Sequence, residues 1–331
     1  MARILHVDGY GVKLGVQRGN LVISENGGRR SVSPGDIDLV VIASSGVSVS
    51  SRALRLLARS GVELVVLDSN GDPVGLLYMS YYTRTPFTRK AQYEALLDGR
   101  GGEIAVEIAY SKVYNQACHV SGMTGVDTAF KRGVLEALDH ALKRLESMRS
   151  WAREAGLEDV RREVMTVEAA AARQYWAAVA SSLPEGVGFE GRDREGSDSF
   201  NRALNYGYGI LYSLAWRSLV LAGLDPYAGF LHTDRSGRPV LSFDYVEMFR
   251  VHAVDKPLAS EFRRGWLPSL DGSRIDPGDR RRIALLVTRA LGRRVGGETL
   301  GEAVSRYAQR LARSLRRGSR FQGFRGCRGW R

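Results

Sequence analysis

The sequence predicts an α+β, multidomain chain, with a small N-terminal β domain carrying one helix followed by a larger all-α C-terminal domain. Three observations carry that expectation. The chain has 331 residues, too many for one small core. Its first 80 residues are short β-branched runs broken by glycine. From about residue 96 onward, apolar residues recur at helical spacing over long segments.

The elements follow in order. Residues 5–8, 12–16 and 20–24 read as short strands, and the apolar runs 38–43 and 62–67 as buried ones. Between these two runs, the serine pair at 50–51 caps a helix over 50–60, with Leu54, Leu57 and Ala58 at helical spacing. Asn70-Gly71 and Asp72-Pro73 mark a hairpin turn before a strand at 74–78. Residues 1–80 are therefore expected to form the β domain, and the polar, basic stretch 81–95 a linker. Residues 96–318 are expected to form the helical domain, with helices over 103–123, 127–154, 160–182, 200–222, 276–291 and 298–317. The Gly- and charge-rich stretch 183–198 reads as a loop, and no internal repeat is present. Residues 319–331 form a basic arginine and aromatic tail. In it Phe321, Phe324 and Trp330 alternate with glycine, as in a segment that stacks on bases or one that only solubilises.

Composition narrows the function. Hydrophobic residues make up 44% of the chain, enough for a sizeable core, yet no run reaches the ~20 apolar residues of a membrane span. An early acid and no long apolar stretch argue against a signal peptide, so the expected location is cytoplasmic. Cys118 and Cys327 are far apart and suggest neither a disulfide framework nor a zinc site. The net charge is +12, yet residues 1–80 hold eight Arg/Lys against seven Asp/Glu, so nearly all the excess lies downstream. Arginine pairs and triplets recur there, as at 161–162, 263–264, 280–282 and 293–294. Such clusters suit phosphate and favour nucleic acid through counterion release. A thermostable, arginine-rich surface is the other reading of the same charge.

The chemistry centres on residues 223–250. His232 ends a short apolar segment, a Gly-Arg-Pro turn follows, and Asp244 and Glu247 stand three residues apart at what reads as a helix start. Side chains at i and i+3 share a helix face, so the two acids are expected to face one pocket with His232 folded back onto them. An imidazole with carboxylates suits a divalent metal, Mg²⁺ or Mn²⁺, and in a basic protein such a metal suggests phosphodiester chemistry. Glu168, in the alanine-rich helix segment 167–176, is the further candidate carboxylate; the alternative is an ordinary exposed glutamate. His6, His119, His140 and His252 lack ligand spacing and read as structural. Asn205 and Tyr208 share a helix face beside Gly207 and Gly209, which permit close packing or close approach of a backbone. Arg238 and Arg250 flank the acids and are expected either to contact phosphate or to orient the carboxylates by ion pairing.

Three ordered segments carry a family resemblance: Val-Glu-Ala-Ala-Ala-Ala-Arg at 167–173, Ala-Leu-Asn-Tyr-Gly-Tyr at 203–208, and the series Gly-Leu-Asp-Pro, Gly-Phe-Leu-His, Gly-Arg-Pro, Phe-Asp and Glu-Met-Phe-Arg between 223 and 250. With Gly46-Val-Ser-Val-Ser, Gly61-Val-Glu-Leu and Gly71-Asp-Pro-Val-Gly, they make the chain similar to the CRISPR-associated endonuclease-integrase family Cas-one over nearly its whole length. The resemblance implies metal ligation by Glu168, His232 and Glu247, the last being Asp or Glu among members. It implies Asp244 as an additional acid among the catalytic residues, and Asn205 and Tyr208 as polar groups nearby. It further implies a homodimer formed largely through the β domains. Two such dimers would clamp a dimer of the small partner Cas-two, a heterohexamer acting on double-stranded and branched DNA (prespacer and CRISPR repeat). The expected reaction is metal-dependent transesterification by a prespacer 3′-hydroxyl, with nicking where water attacks instead. The tail after Arg317 departs from the family pattern. Three other readings stay open: a structure-selective nuclease of DNA repair, a non-catalytic nucleic-acid-binding scaffold, and RNA binding through the tail.

Overall fold

The computed structural model describes residues 3–25, 27–68, 71, 73–77, 86–234, 236–271 and 274–327. Two four-stranded sheets form the N-terminal part. In the first, β1 (Ile4–Val7), β5 (Leu39–Ile42) and β7 (Glu63–Leu67) run parallel, and β8 (Pro73–Leu77) pairs antiparallel with β7. In the second, the meander β2 (Lys13–Gln17), β3 (Asn20–Glu25) and β4 (Gly28–Val32) is joined by the short β6 (Ser48–Val49). Helix α1 (Ser51–Ser60) starts where the serine pair predicts: Ser50 accepts the N–H of Ala53, and Gly61 ends the helix at φ 72°. In this part the two-residue β6 falls outside the expected strands, and so does β4. The latter is an edge strand of mostly exposed polar residues, with no apolar alternation to betray it. Two of the four residues of the turn expected at 70–73 lie outside the described residues, but β7 and β8 pair antiparallel as that turn requires.

The first sheet joins two cores. Val40, Ile42 and Leu64 pack with α1 and the second sheet. Leu39, Val41, Val65 and Leu67 point the other way, into the helical core. Side chains alternate along a strand, so a sheet covered on both faces reads as an unbroken apolar run, which is what 39–42 is.

The helical part comprises α2 (Pro86–Ala95), α3 (Arg100–Ser121), α4 (Thr128–Glu154), α5 (Leu157–Ser182), α6 (Ser199–Leu221), α7 (Val240–Val246), α8 (Lys256–Arg263), α9 (Pro277–Leu291) and α10 (Leu300–Arg317). Two short strand pairs, β9 (Leu270–Asp271) with β10 (Arg274–Ile275) and β11 (Arg294–Val295) with β12 (Glu298–Thr299), flank α9. The six long helices fall within a few residues of their expected places. Helix α2 lies inside the stretch expected to be a linker. It buries Thr88, Ala91, Gln92 and Ala95, and Gln92 holds the 225–228 loop through both amide atoms. Its polar sequence hides that buried face.

Glycines set two close approaches on α6. A side chain at Gly209 would collide with the backbone of Gly71, its Cβ falling 1.5 Å from the carbonyl oxygen. One at Gly207 would strike Val254. The N-terminal sheets are further tied to the helical part by His6 to Tyr206 (2.6 Å), Asp8 to Arg280 (3.3 Å) and Arg281 to Glu25 (3.0 Å).

The C-terminal tail corrects two expectations. Cys118 and Cys327 form a disulfide across 209 residues. Phe321 and Phe324 are buried in the helical core, not presented to bases. Linear spacing carries no sign of such a pairing; only the fold brings the tail onto α3. Residues 328–331, Trp330 among them, lie outside the described residues.

Candidate active site

Helices α3 and α5 and the end of α7 bring three charged side chains together. Lys112 projects from α3, Glu168 from α5, and Glu247 follows the last residue of α7. The Lys112 ammonium lies 2.5 Å from Glu168 Oε1 and 2.7 Å from Glu247 Oε2. Arg250 closes on the other Glu247 oxygen and donates to Tyr212. Its guanidinium also stands 4.7 Å above the Tyr208 ring. Burial works against the Glu247 charge, but Arg250 and Lys112 outweigh it and hold the carboxyl at about 2. Burial likewise works against the Lys112 charge, and the two glutamates outweigh it, holding the ammonium well above its usual range.

His232 and Asp244 form the adjoining unit. Asp244 is fully buried and accepts four hydrogen bonds, from the backbone N–H groups of Phe230, Leu231 and His232 and from His232 Nδ1 at 2.6 Å. Gly229 makes room for this, since a Cβ there would lie 2.8 Å from Asp244 Oδ2. Burial lowers the imidazole pKa, but the hydrogen bond and charge of Asp244 outweigh it and raise it above the ordinary value. Asp244 and Glu247 thus part company. They stand at the end of a short helix, not at the start of one. Asp244 turns to the His232 loop and Glu247 to Lys112, so they do not share one pocket.

Glu247, Tyr208 and Arg250 stand between a cleft of about 1070 Å³, lined also by Lys112 and Glu168, and a smaller cavity of about 400 Å³ that holds His232. Among the described residues, no three His, Cys, Asp or Glu side chains form a ready-made metal cluster. The donor set nonetheless fits a divalent cation. A cation already sits between the two glutamates, in the form of Lys112. His232 gives its Nδ1 side to a buried carboxylate, which leaves Nε2 for ligation, the usual arrangement around a metal-bound imidazole.

The remaining expected residues have other partners. Asn205 accepts from Arg192 (2.6 Å) and donates to the Arg194 carbonyl, so it pins the 191–198 loop beside the cleft. Tyr208 donates to the buried Asp255 (2.7 Å), which also accepts from Tyr175. Burial raises the Asp255 pKa against those bonds. Arg250 takes the ion-pairing role, and Arg238 stands exposed at the rim of the smaller cavity. Sequence reasoning missed Lys112, Asp255 and Arg192. A lone lysine in an otherwise uncharged stretch of α3 was the available signal for the first.

Residues 5–278 match the family described as CRISPR associated protein Cas1. The CRISPR-associated endonuclease Cas1 2 of Saccharolobus solfataricus is 34% identical over 330 residues, 98% of each chain. Among solved structures, a casposase bound to integration product superposes with a TM-score of 0.81 at 23% identity, covering 97% of this chain and 92% of that one. A Cas6-RT-Cas1–Cas2 complex superposes at 0.78 with 20% identity, over 99% of this chain and 36% of that one. No helix among the described residues is long and apolar enough to cross a membrane.

Proposed function

The chain belongs to the Cas1 family, and from that premise we propose that it is a divalent-metal-dependent DNA endonuclease and integrase that inserts prespacer DNA into a CRISPR array. The observation that carries this is the convergence of Glu168 and Glu247 on one cation position, beside an imidazole oriented by Asp244. Glu168, His232 and Glu247 would hold Mg²⁺ or Mn²⁺. Bound there, the ion would act as a Lewis acid on the target phosphate and stabilise charge on the attacking and leaving oxygens.

The chain's own residues do the rest. Asp244 keeps the imidazole facing the site and holds the 230–232 backbone in place. Arg250, braced by Glu247 and Tyr212, fixes the carboxylate that it pairs with. Lys112, paired with both glutamates, holds the two carboxylates together at the position that the ion would take, and would be available as a cation toward phosphate once the ion replaced it. Arg238 and Arg192 border the cavities where a DNA backbone would pass, giving contacts that position DNA without reading bases. The nucleophile is a prespacer 3′-hydroxyl; water in its place gives nicking. The acting assembly is a homodimer, two of which hold a dimer of the small partner Cas2 as a heterohexamer on double-stranded or branched DNA. The fold shared with a casposase bound to integration product and with a Cas6-RT-Cas1–Cas2 complex supports the reaction class and the partner.

The test is Mn²⁺-dependent nicking of supercoiled plasmid by wild type, Glu168→Gln, His232→Ala, Glu247→Gln and Arg238→Ala. The reading expects the first three variants to lose nicking by 100-fold or more (order of magnitude), and Arg238→Ala to keep turnover while binding DNA more weakly. Nicking indifferent to His232 and Glu168 would place the chemistry elsewhere.

A further inference from the structure

The C-terminal tail lies along the face of α3 next to the one that carries Lys112. Its partners there, Glu107, Ser111, Asn115 and Cys118, recur every three or four residues and so share one helix face. Gly323 donates its N–H to Glu107 (2.9 Å), and Arg325 reaches the same carboxylate and stacks over Tyr110. Phe324 stacks on Phe249 at 4.8 Å and meets Tyr307 and His252 edge-on. Cys327 closes the run through its disulfide to Cys118.

Asn115 is the joint of this arrangement. Fully buried, it donates to the carbonyls of Met248 (2.8 Å) and Phe324 (3.1 Å) and accepts from the Gly326 N–H (2.8 Å) and His252 Nε2 (3.2 Å). One amide thus uses two donors and two acceptors to join α3, the tail and the peptide following Glu247. The fit leaves no slack. A Cβ at Gly323 would fall 2.1 Å from Ser111 Oγ and 2.9 Å from Met248 Sδ, and one at Gly326 would fall 2.2 Å from His252 Nε2. Gly323 and Gly326 are there for contact, not for flexibility.

We propose that residues 319–327 form a positioning strap, fastened by the Cys118–Cys327 disulfide and coupled through Asn115, that holds the Glu247–Arg250 segment in register with Lys112 and Glu168. The assignment rests on the metal-site reading above for its consequence. Its geometry, with Ser111 and Asn115 flanking Lys112 on α3 and Met248 following Glu247, stands without it.

The test compares wild type, Asn115→Leu, Gly323→Ala, and wild type reduced with a phosphine. Each is measured by thermal melting, by hydrogen exchange of residues 244–255, and by Mn²⁺ binding in isothermal titration. The strap predicts that Asn115→Leu and Gly323→Ala lose exchange protection across 247–252 and bind Mn²⁺ about 10-fold more weakly, as loss of ligand support does elsewhere. Reduction should give a smaller loss of the same kind, and KM for donor DNA should stay unchanged. Where Asn115→Leu does not fold, Gly323→Ala and reduced wild type carry the comparison. Lower melting temperature with unchanged 247–252 protection and unchanged Mn²⁺ binding would overturn the proposal, leaving the tail a mere staple. Should wild type bind no Mn²⁺, the metal reading fails, and the strap stands or falls on exchange at 247–252 alone.

Discussion

Asp244 and His232 are joined twice: Asp244 Oδ1 accepts the histidine's own backbone N–H at 3.0 Å and its ring Nδ1 at 2.6 Å. The same carboxylate takes the N–H groups of Phe230 and Leu231, so it shapes the loop that carries the histidine as well as aiming the ring. Asp244→Asn would put an amide N–H₂ against donors. The expected outcome is a loss of about 3 kcal/mol in unfolding free energy, with DNA cleavage reduced more than DNA affinity. Urea denaturation beside nicking kinetics checks it; unchanged stability would mean that the loop holds itself.

Lys112→Met removes the ammonium that Glu168 and Glu247 share. Two carboxylates then face each other with Arg250 on one side only, and destabilisation of roughly 3 kcal/mol follows from stranding buried charge. Mn²⁺ should restore the loss, so its addition should raise the melting temperature of the variant more than that of wild type. Equal shifts in calorimetry would show that the ion does not take the position between the glutamates.

His119 is buried against Tyr175, and burial pushes its pKa down to about 3. The unfolded chain binds this proton below about pH 6.5, while the folded chain does so only near 3. Stability is therefore intact at pH 7 and falls as pH drops through that window. His119→Gln removes this contribution. Between pH 7 and 5 the variant should lose about 2 kcal/mol less than wild type. Parallel stability curves for the two proteins in chemical denaturation would contradict the assignment.

Two helix glycines should answer alanine in opposite ways. Gly209 meets the Gly71 backbone, so Gly209→Ala must push the sheet off α6 and should cost about 3 kcal/mol. Gly133, within α4, has open space where a Cβ would go, and Gly133→Ala should stabilise by about 0.5–1 kcal/mol. Thermal melts of the pair give the comparison, and destabilisation by both would refute it.

The long helices were legible because each carries an apolar stripe over several turns, and Glu168 and His232 because each sits in a short, distinctive segment. The segment 240–263 was not. A seven-residue helix, a turn and a π-helical stretch, Val251–Asp255, follow one another there, and no single period covers them. The direction of Asp244 was misjudged for the same reason, since i, i+3 logic holds only within a continuing helix. The Lys112 pairing and the disulfide depend on separations of 56, 135 and 209 residues, which only tertiary structure closes. Glycine and arginine in the tail suggested nucleic-acid stacking, whereas Phe321 and Phe324 find an apolar site between α3, the 248–252 segment and α10.

The most direct test of the central claim is strand transfer of a labelled duplex into a supercoiled plasmid bearing a CRISPR repeat, in Mn²⁺, with 3′-hydroxyl and 3′-dideoxy donors. The account predicts label joined to plasmid with the hydroxyl donor only, and lost in His232→Ala. Plasmid cutting that needs His232 but never joins the 3′-hydroxyl donor would contradict the integrase assignment and leave a plain nuclease.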